Sequence, residues 1–170
     1  LEINSTGSDF GAVLTNDNTL YFTSSRNKSK RTDGWNDEPY LDIYKSTMNG
    51  DKTFSKPEEV VELNTRWHDG PVSISSDGNT MYFSRDSHAE KEFEKDKKLN
   101  AKFSQVYLYK ATKEGNTWGN IQALPFNSKE YSNSNPSLSK DGKTLYFASN
   151  MPGTKGASDI WKVSVNGDEY

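Results

Sequence analysis

Ser137-Leu138-Ser139-Lys140-Asp141-Gly142-Lys143-Thr144-Leu145-Tyr146-Phe147 reads as a strand, a tight turn and a second strand, and the phrase occurs twice more in the chain. Upstream stands Ser73-Ile74-Ser75-Ser76-Asp77-Gly78-Asn79-Thr80-Met81-Tyr82-Phe83, and before it Val13-Leu14-Thr15-Asn16-Asp17-Asn18-Thr19-Leu20-Tyr21-Phe22. The copies lie about 60 and 64 residues apart, a period that suits repeated small sheets. Asp77-Gly78 and Asp141-Gly142 supply the positive φ of a tight hairpin turn, and Asn16-Asp17-Asn18 does the same with one residue fewer.

More of each unit repeats. A third strand is expected at Asp42-Ile43-Tyr44-Lys45, Tyr107-Leu108-Tyr109-Lys110 and Asp159-Ile160-Trp161-Lys162. A fourth segment runs from Phe54 to Leu63-Asn64 and from Trp118 to Phe126-Asn127, and Leu1-Glu2-Ile3-Asn4-Ser5 matches its end. The expectation is therefore an all-β chain with twelve strands in four-stranded antiparallel blades of a β-propeller. Residues 1-5 would be the outer strand of a preceding blade, 6-64 and 65-127 two blades, and 128-170 an incomplete one. Three blades are about half of a six-bladed ring, so a second copy or the remaining propeller chain is expected to close it. By the same reasoning the isolated chain is expected not to be a stable monomer.

The apolar triplets Leu20-Tyr21-Phe22, Met81-Tyr82-Phe83 and Leu145-Tyr146-Phe147 fit sheets packed on both faces. First strands are rich in Gly, Ser, Ala and Pro, which suits inner strands crowding near a propeller axis. Only 31% of residues are hydrophobic, yet 12% are aromatic, so large rings are expected to carry the core. A net charge of -3 gives no basic face for nucleic acid. No run of about 18 apolar residues marks a membrane span. The chain has no cysteine, which excludes disulfides and thiolate chemistry.

Asn135-Pro136-Ser137 through Ala148-Ser149-Asn150, followed by Gly156-Ala157-Ser158-Asp159-Ile160-Trp161, resembles the WD-like propeller repeat of the TolB type. With Trp35 before Pro39-Tyr40-Leu41-Asp42 and Met151-Pro152-Gly153 before the third strand, the order is most similar to the propeller of bacterial OmpA-family envelope proteins. Some of these belong to type IX secretion and gliding machinery. The resemblance implies a periplasmic, outer-membrane-associated setting and envelope proteins as partners, without direct membrane insertion. Peptidoglycan would be reached only through a domain outside this sequence. The chain departs from the pattern at Asn16-Asp17-Asn18, which lacks the turn glycine, and at Trp161, where Tyr is usual.

Propellers display variable loops on a rigid ring, so the long insertions are the first place to seek function. One spans Asn27 to Glu38, starting with the basic run Asn27-Lys28-Ser29-Lys30-Arg31. The other spans Ser87 to Lys102, where Ala89 to Leu99 reads as a short surface helix, with Ser87 as N-cap and a Glu94–Lys98 pair. Phe93 is its candidate anchor for a protein partner, against the alternative of a solvated loop. Trp118 and Trp161 recur as core positions, whereas Trp35 and Trp67 fall in loops and are candidate contacts for protein or sugar.

Ser8-Asp9, His68-Asp69 and Ser132-Asn133 occupy equivalent places before the first strands. Asp9, Asp69 and Asn133 then either cap strand ends or converge at a channel mouth where a small ligand or cation binds. His68 and His88 lie in different loop types, and no metal or cofactor is expected.

No catalytic residues are marked out. Asp77 and Gly78 are adjacent and Met81 follows Thr80, which breaks the sialidase Asp-box, and no Gly-x-Ser-x-Gly nucleophile turn occurs. The sequence reads as a non-catalytic protein-interaction scaffold of a bacterial envelope with Trp35, Trp67, His68, Asp69 and Phe93 as candidate partner-binding residues, and a carbohydrate-binding or hydrolase-associated propeller using Trp35, Trp67 and the channel-mouth polar groups as the alternative.

Overall fold

The computed structural model describes residues 2–28, 31–34, 36–98 and 100–170. The first unit is a sheet of β1 (Asp9–Leu14), β2 (Thr19–Ser24), β3 (Asp42–Thr47) and β4 (Glu58–Glu59), hydrogen-bonded antiparallel in that order. The second pairs β5 (Asp69–Ile74) and β6 (Thr80–Asp86), continued after a separate hairpin of β7 (Glu94–Asp96) and β8 (Ala101–Phe103) by β9 (Val106–Glu114) and β10 (Thr117–Ala123). The third holds β11 (Asn133–Leu138), β12 (Thr144–Ser149) and β13 (Asp159–Ser164). The chain is all-β, with antiparallel sheets stacked side by side as in a β-propeller.

Alternation along the central strands explains the apolar triplets. Tyr21 and Ile43 face the second unit, where they meet Val72, Met81, Phe83, Tyr109 and Trp118. Leu20 and Phe22 point the other way and pack with Tyr44 and Ile3. Tyr82 and Leu108 face the third unit and join Leu145 and Phe147. In β2 and β6 both faces of the triplet are buried, hence three apolar residues in a row, whereas in β12 the middle residue Tyr146 is 41% exposed.

The hairpin turns follow their chemistry: Asn18, Gly78 and Gly142 take φ of 63°, 75° and 71°. In each turn a carboxylate caps the start, with Thr15, Ser75 and Ser139 hydroxyls donating to Asp17, Asp77 and Asp141. Neighbouring turns are tied together, because Asn16 Nδ2 donates to the Ser76 carbonyl and Ser76 Oγ to the Lys140 carbonyl. Each inner strand also carries a β-bulge that the pattern does not announce, after Phe10, Asp69 and Ser134. Gly70 lies in one of them at φ 98°, and a Cβ there would collide with the Thr23 side chain of the first unit.

Three expectations are corrected. Glu2 and Ile3 form a turn, not an outer strand, and Ile3 packs on Leu20, Phe22 and Tyr44; Leu1 lies outside the described residues. The equivalent Val61–Leu63 is also a turn, so the matching segment is the connector between units rather than a strand. In place of more ladder, the connector asparagine imitates a strand. Asn64 Oδ1 accepts from Ile43 N (2.8 Å) and its Nδ2 donates to Ile43 O (2.9 Å), and Asn127 repeats both bonds with Leu108 at 2.9 and 2.8 Å.

The fourth segment of the first unit contributes only the two residues of β4, with Phe54 in an isolated bridge to Met48. Among the described residues the helix expected from Ala89 to Leu99 is absent as well; Leu99 lies outside them. Ser87–Glu90 makes one 3-10 turn capped by Asp86 rather than by Ser87, and Lys91 ends it at φ 61°. Helices of this length are marginal without tertiary support. Ser87 and Gln105 instead clamp the two arms of the insertion antiparallel through Ser87 N to Gln105 O (2.9 Å) and Gln105 N to Ser87 Oγ (3.0 Å), which favours the β7–β8 hairpin.

Candidate functional site

The equivalent polar residues at the starts of β1, β5 and β11 are committed inward. Asp69 is fully buried; its Oδ2 accepts from Thr65 N and Oγ1, and its Oδ1 from Arg85 Nε at 2.6 Å. Arg85 also donates to the Leu63 carbonyl, with its guanidinium 5.0 and 4.9 Å from the Phe83 and Tyr109 ring centres. Asp9 repeats the arrangement with Ser5 and with Arg26, which reaches the Ile3 carbonyl and lies 5.0 and 4.9 Å from the Phe22 and Tyr44 ring centres. Asn133 is buried too, and donates to the Phe126 carbonyl at 3.3 Å. These residues bind the connector to the inner strand of each unit.

Their titration differs with burial. Desolvation pushes the Asp69 carboxyl up against the opposing pull of Arg85 and Thr65. At Asp9 a smaller desolvation is outweighed by hydrogen bonds from Ser24, Arg26 and Ser5, which hold it below the usual carboxylate range.

The loops at this end of the first two units assemble a different feature, a row of aromatic rings. Tyr40 stands just before β3, Trp67 and His68 in the connector before β5, His88 in the 3-10 turn and Phe93 just before β7. Tyr40 lies 4.4 Å from the His68 ring and 5.9 Å from Trp67, centre to centre. His88 stacks on Trp67 at 4.3 Å and on Phe93 at 5.1 Å, with interplanar angles of 24° and 18°. Cations border the row: the Arg66 guanidinium is 5.1 Å from the Trp67 centre, and Lys102 Nζ is 4.3 Å from that of Phe93.

Hydrogen bonds fix both histidines. His68 Nδ1 accepts from Leu41 N at 3.2 Å while Nε2 lies 3.3 Å from Asp33 Oδ2, so the proton belongs on Nε2. His88 Nδ1 lies 2.8 Å from Asp86 Oδ1, which also caps the His88 amide. Burial, helped by the charges of Asp33 and Asp86, pushes the Tyr40 hydroxyl above its ordinary value.

Beside Phe93 the row continues into a cleft of about 190 Å³ lined by Phe93, Phe103, Gln105, Tyr107, Glu92 and Lys129. Its wall is anchored by Tyr107 Oη donating to Glu92 Oε2 at 2.5 Å, and Tyr109 Oη donates to the nearby Glu90 at 2.9 Å. Phe103 is exposed at its mouth.

The structure thus brings Trp67, His68 and Phe93 into one row and places Asp69, Asp9 and Asn133 outside it, hydrogen-bonded within their own units. Trp35 lies outside the described residues. Tyr40, Phe103, Tyr107 and His88 join the row or its cleft although no sequence motif marks them as site residues. Among the described residues no group of three or more His, Cys, Asp or Glu side chains is placed to hold a metal ion. Among them, too, no helix is long and apolar enough to cross a membrane.

No family model and no curated protein matches the sequence. Solved structures do match. A puromycin-hydrolyzing peptidase from Mycobacterium tuberculosis is similar at a TM-score of 0.58 and 13% identity, over 96% of this chain and 21% of that one. TolB from Acinetobacter baumannii is similar at 0.42 and 16% identity, over 98% of this chain and 43% of that one. The chain spans less than half the length of either, and the likeness to the peptidase concerns the fold alone.

Proposed function

We propose that this chain is a non-catalytic protein-interaction module whose contact surface is the row Tyr40, Trp67, His88 and Phe93 with the adjoining cleft. The observation that carries this reading is the stacking of His88 on Trp67 and Phe93. A sugar platform needs free ring faces, and these rings spend theirs on one another and on Lys102. What is left for a ligand is ring edges, bordering cations and a cleft able to take one bulky side chain, features that suit a protein surface better than a glycan.

The setting in a bacterial envelope, periplasmic and associated with the outer membrane, rests on the resemblance of the repeats to OmpA-family propellers. A membership in type IX secretion assemblies belongs to the same reading. Site-specific photo-crosslinking in such an envelope tests it: a crosslinker at Phe93 is expected to capture a discrete protein, and Trp67→Ala to abolish the capture. Binding to a glycan array with no protein capture would favour a carbohydrate-binding propeller, and turnover of aminoacyl substrates would favour a hydrolase-associated one.

A further inference from the structure

The cations beside the aromatic row are not matched by carboxylates. In the β7–β8 hairpin Lys95 stands directly opposite Lys102, and both ammonium groups gather over Phe93, with Nζ at 5.9 and 4.3 Å from its ring centre. At the other end of the stacked rings the Arg66 guanidinium lies 5.1 Å from the centre of Trp67. All three residues are exposed. Among the described residues none of the three reaches a carboxylate, whereas Lys110, Lys113 and Lys129 each sit within 3.4 Å of one.

The acids nearby are already engaged. Asp33 and Asp86 hold His68 and His88, Glu92 accepts from Tyr107 and pairs with Lys129, and Glu90 accepts from Tyr109. Glu94 and Asp96 flank Lys95 in β7, so the alternation of a strand turns them to the opposite face of the hairpin, across from Phe103 and Ala101. A like-charged pair directly opposite in a ladder is destabilising, and a two-stranded hairpin is marginal on its own. In a chain of net charge -3, positive charge is nevertheless in excess along this edge of the row. Cation–π attraction to Phe93 offsets part of the repulsion, and a carboxylate placed between the two ammonium groups would offset the remainder.

Taking the aromatic row as the contact surface, we infer that it receives an acidic segment of its protein partner, with one Asp or Glu side chain seated between Lys95 and Lys102 and a second against Arg66. The stacked rings of Trp67, His88 and Phe93 separate the two cationic points by a span that a short extended segment covers, and the cleft beside Phe93 takes an apolar side chain next to the first carboxylate. Nucleic acid is a poorer occupant, because closely spaced phosphates need a continuous basic face, and here Glu94 and Asp96 lie on the reverse of the same hairpin.

Fluorescence anisotropy tests this with labelled short peptides that share one pattern around a single Phe and carry Asp and Glu, Asn and Gln, or Lys at the polar positions. The wild-type chain is expected to bind the acidic peptide at least about tenfold more tightly than the neutral one, with the advantage shrinking as salt rises. Lys95→Glu combined with Lys102→Glu is expected to turn the preference toward the Lys peptide, while keeping a like-charged cross-strand pair and so a hairpin of similar stability. Lys95→Gln combined with Lys102→Gln is a milder second probe, expected to reduce the acidic preference without reversing it. Trp67→Ala separates two kinds of failure. Binding that Trp67→Ala weakens but peptide charge leaves unchanged would overturn the acidic partner and keep the row as the contact surface. Acidic-peptide binding indifferent to Trp67→Ala would overturn both. No binding of the acidic peptide at low salt would also overturn the acidic partner, as would tighter binding of single-stranded DNA that the double Glu variant abolishes.

Discussion

Arg85 Nε donates to the buried Asp69 Oδ1 at 2.6 Å, in register across β5 and β6, and the same register in the third unit pairs Asn133 with Ser149. Where the cation is missing, the carboxylate is missing too. That internal contrast follows from the cost of an unpaired buried charge, which exceeds the net worth of the pair.

Asp69→Asn is therefore expected to cost about 3–5 kcal/mol by stranding the Arg85 guanidinium. Adding Arg85→Ser, which copies the third unit, should recover part of the loss. Urea denaturation of the two single variants and the double variant checks this as a double-mutant cycle, and strictly additive losses would contradict the coupling.

Leu145→Asp places a charge in the fully buried core between the second and third units, and is expected to destabilise by about 3 kcal/mol or more. Tyr146→Ser, one residue along on the exposed face, should cost less than about 1 kcal/mol in dilute solution. Calorimetric melting of both variants checks the alternation; equal losses would mean that the register of β12 is misassigned.

Asn64→Ala removes the acceptor for Ile43 N in a fully buried part of the ladder, and is expected to cost about 1–3 kcal/mol. Amide hydrogen exchange gives the local readout. The Ile43 amide should exchange faster relative to the centre of β2, and unchanged protection would show that the side chain adds nothing to the ladder.

The hairpin turns should weaken in acid. The Thr15 hydroxyl, with Thr19 and Lys113 adding to it, holds Asp17 at about 2 against an ordinary 3.8, and Asp77 and Asp141 are lowered chiefly by Ser75 and Ser139. A depressed folded-state value means stability that is present above the unfolded value and lost as pH falls toward the folded one. The loss from these turns is expected between about pH 4 and pH 2. All three carboxylates are exposed, so the effect is modest. Asp17→Asn should flatten the dependence of the denaturation midpoint in that window, and an unaltered slope would remove the Asp17 contribution.

The fold was legible where chemistry is local. Asp-Gly turns, alternating rings and recurrence specified the hairpins and central strands without outside help. Reading failed where tertiary pairing decides: residues from Ala89 have helical propensity, yet the Ser87–Gln105 clamp feeds them toward a hairpin. The connector asparagines repeat in the sequence, but their paired hydrogen bonds to β3 and β9 are set by the tertiary fold. The aromatic row was legible only in pieces, since Tyr40, Trp67, His88 and Phe93 come from four separate segments. Long insertions leaving the same end of adjacent sheets were the one available signal that these rings could meet.

The most direct test of the account is photo-crosslinking from Phe93 in the intact envelope, with Asn116 on the remote β9–β10 turn as the control position. One discrete protein adduct is expected at Phe93, none at Asn116, and loss of the adduct when Trp67→Ala removes the ring on which His88 stacks. Absence of any adduct at Phe93, or an adduct indifferent to Trp67→Ala, would contradict it.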